Sequence, residues 1–558
     1  METTRRQALG IAAGGMATLA WPGAAVGRRR VGLPTGRQLR RDIQHMVDLG
    51  PRFTGTAGHD AFIDWLEAEL VAAGVVMLPR DEEKLTVWEA SGFGLEVDGT
   101  AQRVATYYPR SQETGPAGVS GPLVHAATGG SLAGAIALVD LPMPTPLTTG
   151  FLLPLVTYLH WPGHSDAEFA TGDYKRPWIA PGVSGVPTAP YAAQGAVGCV
   201  FVLDAPYEAL RDNYIPFENG FEELPALFVD RDTGAALRAK AGAPAKLTLE
   251  ASRHEGTSPA LLGYLPGTKR RDEALILDSH TDGEGFVEEN GGIGMVALAR
   301  HFGSLPRAKR LERTLVFSLW PGHMATGMPQ LQGVIDKHPD IVRSAAAAIT
   351  VEHLGCSEWI DTADKGYHAT GEAEALGVWT TQGKVFDITK AATIKHDIPH
   401  AALLRPPVQF GVGGAFQTSG VPQVGFLAGP YYLLSNAPGG DMDKLDAELA
   451  AKQVAWTATM LRAFDAVPME ELAAGDPTLG TKPDAQPATY PPRKPLRLRL
   501  RRGTIAVNRP AVVRYAVRRR GRRIAHGRRL VRHRFHVPVP KGAVLTVRAE
   551  GRVYHSRA

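Results

Sequence analysis

Three continuous apolar runs, at 274–277, 314–319 and 345–351, constrain this chain more than any other feature of it. None shows the alternation of a strand with one wet face, so each reads as a strand buried on both sides. A helical segment, 292–302, lies between the first two, and an amphipathic helix over 446–464 closes the region. Buried strands alternating with helices predict an α/β fold with a mixed, largely parallel central sheet flanked by helices. In such a sheet, ligands bind beyond the carboxyl ends of the strands.

The rest of the 558 residues divide around that sheet. Ile43, Met46, Val47, Phe62, Trp65, Leu66 and Leu70 recur at helical spacing, with a Gly/Pro turn at 49–56 between them. Residues 36–99 and 246–470 therefore form the main domain. Residues 100–245 hold short β-like runs (135–139, 200–203) between Pro/Gly loops and read as a strand-rich insert. A Pro-rich linker, 476–495, leads to a small β module at 496–558. Charge is divided unevenly: residues 491–558 carry 21 Lys and Arg against one acid, Glu550, while the remainder has 40 basic against 55 acidic residues. A basic tail on an acidic body suits an anionic partner such as a cell-surface polymer, or is a solvated arginine-rich surface. Nucleic acid is not expected, since the tail offers only Tyr515, Phe535 and Tyr554 for base stacking.

The N-terminus reads Thr4-Arg5-Arg6-Gln7-Ala8-Leu9, followed by an apolar segment to Trp21 and small residues at Ala24, Ala25 and Gly27. This is a twin-arginine export signal over 1–27, with an apolar segment too short to span a bilayer. No later apolar run reaches the roughly 18 residues of a transmembrane helix, so no membrane anchor is expected and the mature chain is extracellular or attached to the cell wall. The two cysteines, Cys199 and Cys356, exclude a Cys/His zinc cluster and leave their pairing open.

Residues of metal-ligand type follow the strands. Asp278-Ser279-His280-Thr281-Asp282-Gly283 comes after the first run; His280 and Asp282 share a face of an extended segment, a neutral imidazole suits zinc, and the carboxylate can orient it. Glu288-Glu289-Asn290-Gly291-Gly292 opens the next helix, where carboxylates either favour the helix N-terminus or bridge metals. Gly322-His323 and Glu352-His353-Leu354-Gly355 follow the second and third runs.

Taken in order, these segments resemble the M28 family of zinc aminopeptidases. Gly50-Pro51-Arg52-Phe53-Thr54-Gly55 is similar to the family's early G-x-R-x-x-G turn, Ser279-His280-Thr281-Asp282-Gly283 to its A-H-x-D-S, Glu288-Glu289-Asn290-Gly291-Gly292-Ile293-Gly294 to its D-D-N-G-x-G, and Glu352-His353-Leu354-Gly355 to its later D-x-x-G. Leu265-Pro266-Gly267 and Gly420-Val421-Pro422 are similar to further family turns, and the insert, with Gly195-Ala196-Val197-Gly198, resembles a protease-associated (PA) domain. The resemblance spans about 38–465 and implies a hydrolase cleaving peptide or aminoacyl amide bonds through a metal-activated water. By position, it implies metal ligands at His280, Glu289, His323 and Glu352, with one zinc ion more readily held than two.

The pattern departs from the family where catalysis would sit. Gly322 occupies the general-base position and has no side chain; Tyr432 stands near the expected final His. Three readings follow: a one-metal hydrolase with its base relocated to Glu288 or His353 and with Asp282 as orienting carboxylate; a fold retained for binding; or a single-zinc acyl-rearranging enzyme resembling glutaminyl cyclases.

Overall fold

Every residue of the three apolar runs is buried, in strands Ala274–His280, Thr314–Trp320 and Ala345–Val351. Four consecutive alanines open the last of these, and alanine is the best helix former. Local preference yields because both of that strand's edges are hydrogen-bonded in parallel, to Ala274–His280 and Gln423–Ala428, and small side chains fit a strand packed on both faces. The structure, a computed structural model, describes residues 31–143, 147–179, 186–217 and 219–557. The export signal expected at 1–27 lies outside the described residues.

The central sheet runs in the order Pro244–Leu265, Thr314–Trp320, Ala274–His280, Ala345–Val351, Gln423–Ala428, Leu376–Thr380, Ala401–Leu404, Val156–His160. Its middle is parallel, with Ala274 opposite Thr314 and His280 opposite Trp320. Antiparallel pairings occur where Pro244–Leu265 meets Thr314–Trp320, where Gln423–Ala428 meets Leu376–Thr380, and at the Val156–His160 edge. This is the α/β architecture the apolar runs predict.

Helices supply the apolar faces that cover the sheet. Gly36–Val47 starts at a capping box between Thr35 and Gln38, and Ala57–Ala73 ends at Gly74 in the left-handed conformation. Ala447–Ala466 is capped by Asp446, whose carboxylate accepts from the backbone N–H groups of Glu448 and Leu449. Leu39, Ile43, Phe62, Leu66, Ile293, Leu298, Trp456 and Leu461 from these helices and from Gly291–Ser304 share one buried core.

Within 100–245, Ile136–Leu141 lies parallel to Gly198–Leu203 and Val119–His125. Strand Pro244–Leu265, 22 residues long, pairs in its first part with Val119–His125 and in its last part with Thr314–Trp320, so one strand carries hydrogen bonding from the strand-rich segment into the central sheet. Its long partner, Asp81–Val97, is rich in charge and exposes every second residue over much of its length. Residues 476–493 lie against the main body: Ala488 and Tyr490 are buried, the Tyr490 ring is 5.2 Å from that of Tyr264, and the Ala488 N–H donates to Asp340 O at 3.1 Å. Among the described residues no helix is long and apolar enough to cross a membrane.

The chain divides after Arg493. Residues 494–557 form two antiparallel sheets of three and four strands around Leu498, Ile505, Val513, Val517, Leu545 and Val547. Their only acid, Glu550, accepts from Arg509 at 2.7 Å.

Candidate metal centre

Two loops at the carboxyl ends of Ala274–His280 and Ala345–Val351 carry the site, and Asn290 ties them together. Its side-chain amide donates to Leu354 O at 2.9 Å and its Oδ1 accepts from Leu354 N at 2.7 Å. Asn290 therefore fixes the start of helix Gly291–Ser304, with Glu288 and Glu289 ahead of it, to the loop holding Glu352 and His353.

His280, Glu288 and His353 are brought together, with one ligand atom from each within 4.8 Å of the others. The tautomers follow from the hydrogen bonds. His280 Nδ1 lies 2.9 Å from Asp282 O and His353 Nδ1 lies 2.5 Å from Ala428 O, so each Nδ1 carries the proton and each Nε2 presents a lone pair. Neither Nε2, nor Oε2 of Glu288, has a hydrogen-bond partner, although all three are buried. His353 Nε2 is 3.4 Å from Glu288 Oε2. His353 adopts φ +52°, a left-handed conformation that costs a non-glycine residue roughly 1 kcal/mol.

The other residues singled out in the sequence take different places. His323 Nε2 is 3.1 Å from Glu288 Oε1, and its ring centroid is 4.4 Å from that of His280. Glu289 is in a buried ion pair with Arg52, whose guanidinium also donates to the carbonyls of Met46, Gly50 and Gly285. Glu352 accepts from Val412 N at 3.1 Å. Asp282 orients: its backbone oxygen holds His280, while its Oδ2 accepts from Thr54 Oγ1, Gly322 N at 3.1 Å and Met324 N at 2.7 Å. The Tyr432 hydroxyl donates to Ser357 O at 2.8 Å. The metal set read from the sequence was His280, Glu289, His323 and Glu352; the geometry gathers His280 with Glu288 and His353, the two assigned to proton transfer.

Gly322 shows why no carboxylate stands at its position. Its φ is +105°, and an added Cβ would meet the Met328 side chain at 2.7 Å. Gly283 is similarly required, since a Cβ there would lie 2.6 Å from Glu288 Cβ. Glu284, between two glycines, carries no motif that marks it, yet it is fully buried with both carboxylate oxygens unpartnered. Phe217, from the 100–245 segment, sets its ring 5.0 Å from His323. Tyr214 of the same segment stacks on Phe53 at 3.8 Å.

The electrostatics are those of a buried cluster with more carboxylates than cations. Burial raises the Glu289 carboxyl to about 7 and that of Glu352 to about 8. Glu284 is pushed well above the usual range by burial and then by Glu288 and Glu289. His280 is held well below its ordinary value by burial and by its histidine neighbours, so it is neutral. Burial opposes charge on His323 as well, but the contact with Glu288 outweighs it and lifts that imidazole to about 9. A divalent cation would relieve the carboxylate crowding and use the orphaned lone pairs, so the donor set fits zinc: two neutral imidazoles and a carboxylate.

No family model matches the chain, and no curated protein matches it. Among solved structures, the chain is similar to a peptidase M28 precursor from Shewanella amazonensis, with 18% identity, 82% of this chain and 98% of that one covered, and a TM-score of 0.54. It is also similar to a zinc aminopeptidase from Bacillus subtilis, with 15% identity, 80% and 98% covered, and a TM-score of 0.51. The chain thus has the zinc aminopeptidase fold.

Proposed function

We propose that this chain is an exported metallohydrolase of the aminopeptidase type, acting on peptide or aminoacyl amide bonds with one zinc ion held by His280, Glu288 and His353. The observation that carries the reading is the convergence of three buried, unpartnered ligand atoms within 4.8 Å. Bound there, zinc supplies Lewis acidity, polarising an amide carbonyl and acidifying water. The protein does the rest. Asp282 and Ala428 carbonyls hold the two imidazoles in the ligating tautomer. His323 pairs with the second oxygen of Glu288 and orients it. Glu284, buried with both carboxylate oxygens unpartnered and close enough to Glu288 and Glu289 to feel both charges, is the carboxylate we assign to take a proton from the attacking water.

The PA-like insert restricts access: Phe217 against His323 and Tyr214 against Phe53 roof the site. Export rests on the twin-arginine pattern at Arg5 and Arg6. The basic module is the part that meets an anionic cell-surface polymer. Arg514 lies opposite Arg548 on a neighbouring strand, and Arg518 lies opposite Arg523 on the other. Like charges set directly across strands destabilise a sheet, and a polyanion would compensate them.

Gly322 favours a second reading, a fold kept for binding. Purified mature protein separates the two. The hydrolase reading expects His280→Ala to hold one zinc per chain fewer than wild type by elemental analysis and to lose the chelator-sensitive release of amino acids from a peptide library; zinc-loaded wild type without turnover overturns that reading.

A further inference from the structure

A second cluster of ligating side chains lies apart from the site above. His164, Glu372 and His400 bring ligand atoms within 4.8 Å of one another. They come from three distant segments: the turn before helix Asp166–Thr171, the strand Gly366–Ala373, and the residue preceding strand Ala401–Leu404.

His400 is the anchor. Its Nδ1 lies 2.6 Å from Ala373 O, so Nδ1 carries the proton and Nε2 presents the lone pair, 3.8 Å from Glu372 Oε2. The Trp161 ring lies flat on the imidazole, with centroids 4.3 Å apart and planes 10° from parallel, which fixes its plane. The His164 ring stands nearly perpendicular to it, 5.3 Å away. His400 has φ +51°. It therefore repeats the construction of His353: an imidazole on left-handed backbone, its Nδ1 tied to a main-chain carbonyl so that Nε2 points at other donors. A ring with a locked plane and tautomer loses little freedom on binding an ion.

We propose that His164, Glu372 and His400 form a second metal site, taking a divalent ion of the zinc class through two imidazoles and one carboxylate. The His400 side chain is 7% exposed and that of Glu372 56%, so the ion sits at the surface, with a coordination position open to water, and exchanges readily. Its effect is to strap the 161–172 segment to the strand Gly366–Ala373. Zinc binding here does not depend on the reading of the buried site.

The test uses the full mature chain, stripped with chelator and titrated with zinc by calorimetry, with His164→Ala and Glu372→Gln chosen because both side chains are partly or largely exposed. Wild type binds one more zinc per chain than either variant, and zinc raises the melting temperature of wild type more than that of His164→Ala. In His280→Ala/His353→Ala protein, one zinc equivalent remains and disappears when His164→Ala is added. Equal stoichiometry in wild type and both surface variants overturns the proposal, as does complete loss of zinc in folded His280→Ala/His353→Ala protein.

Discussion

Replacing Arg52 with methionine tests the electrostatic frame of the site. Arg52 is 1% exposed, and its guanidinium serves Glu289 and the carbonyls of Met46, Gly50 and Gly285. The methionine fills part of the space and supplies no donor. Removing one partner of a buried ion pair costs about 3–5 kcal/mol, because the remaining carboxylate stays desolvated or must take up a proton. Carbonyls left without partners add about 1 kcal/mol or more each, and these costs overlap. A total of roughly 4–6 kcal/mol is a large part of the roughly 5–15 kcal/mol that holds a protein folded. Glu289→Gln in the same chain removes the stranded ionisable group and should restore roughly 2 kcal/mol. The assay is urea unfolding in chelator, followed by tryptophan fluorescence. Residues 494–558 contain no tryptophan, so the signal reports the main body. A cost below about 1 kcal/mol for Arg52→Met, or a double variant no more stable than the single, refutes the reasoning that Glu289 belongs to Arg52 rather than to a metal.

Other expectations are independent of that one. Burial lowers the Lys482 amine to about 8 from 10.5. The unfolded chain then binds more protons than the folded one between those values, so stability rises with pH across that window; Lys482→Met should flatten this rise in denaturant titrations from about pH 7.5 to 10.5. Cys199 and Cys356 are free and buried, and burial raises both thiols, Cys199 to about 12. A thiol reagent should therefore label neither in native protein and both after denaturation, and reductant should leave the melting temperature unchanged. Changing Arg514, Arg518 and Arg548 together to glutamine should lower the salt concentration that elutes the chain from a polyanion column; unchanged elution removes those arginines from any anionic contact.

Much of this architecture is legible in the residue order, and the exceptions have physical causes. The three apolar runs identify the sheet because burial on both faces leaves no polar alternation, and this outweighs the helix preference of four alanines at 345–348. Helices Gly36–Val47 and Ala57–Ala73 follow from apolar spacing, and the turn between them is marked by glycine and proline. Strand Asp81–Val97 is hidden by its charges, which a long antiparallel strand can carry on its exposed side. At the site, sequence order brings out Glu288 and Glu289 together but not which of them faces the histidines. That choice is made by Arg52, 237 positions from Glu289, whose guanidinium claims one carboxylate and leaves the other to the imidazoles. Glu284 is invisible for the opposite reason: nothing local marks a carboxylate in a Gly-Glu-Gly loop, and only the three-dimensional structure removes it from water.

The left-handed backbone at residue 322 also bears on how this chain could change. A single codon change to a carboxylate there would not simply add a proton acceptor beside His323. The new residue would sit in a disfavoured conformation and press on Met328, and any peptide rotation that eased it would withdraw the N–H held by Asp282. Seating a carboxylate at this position would need several concerted replacements, so selection would find it easier to place a proton acceptor elsewhere around the histidines.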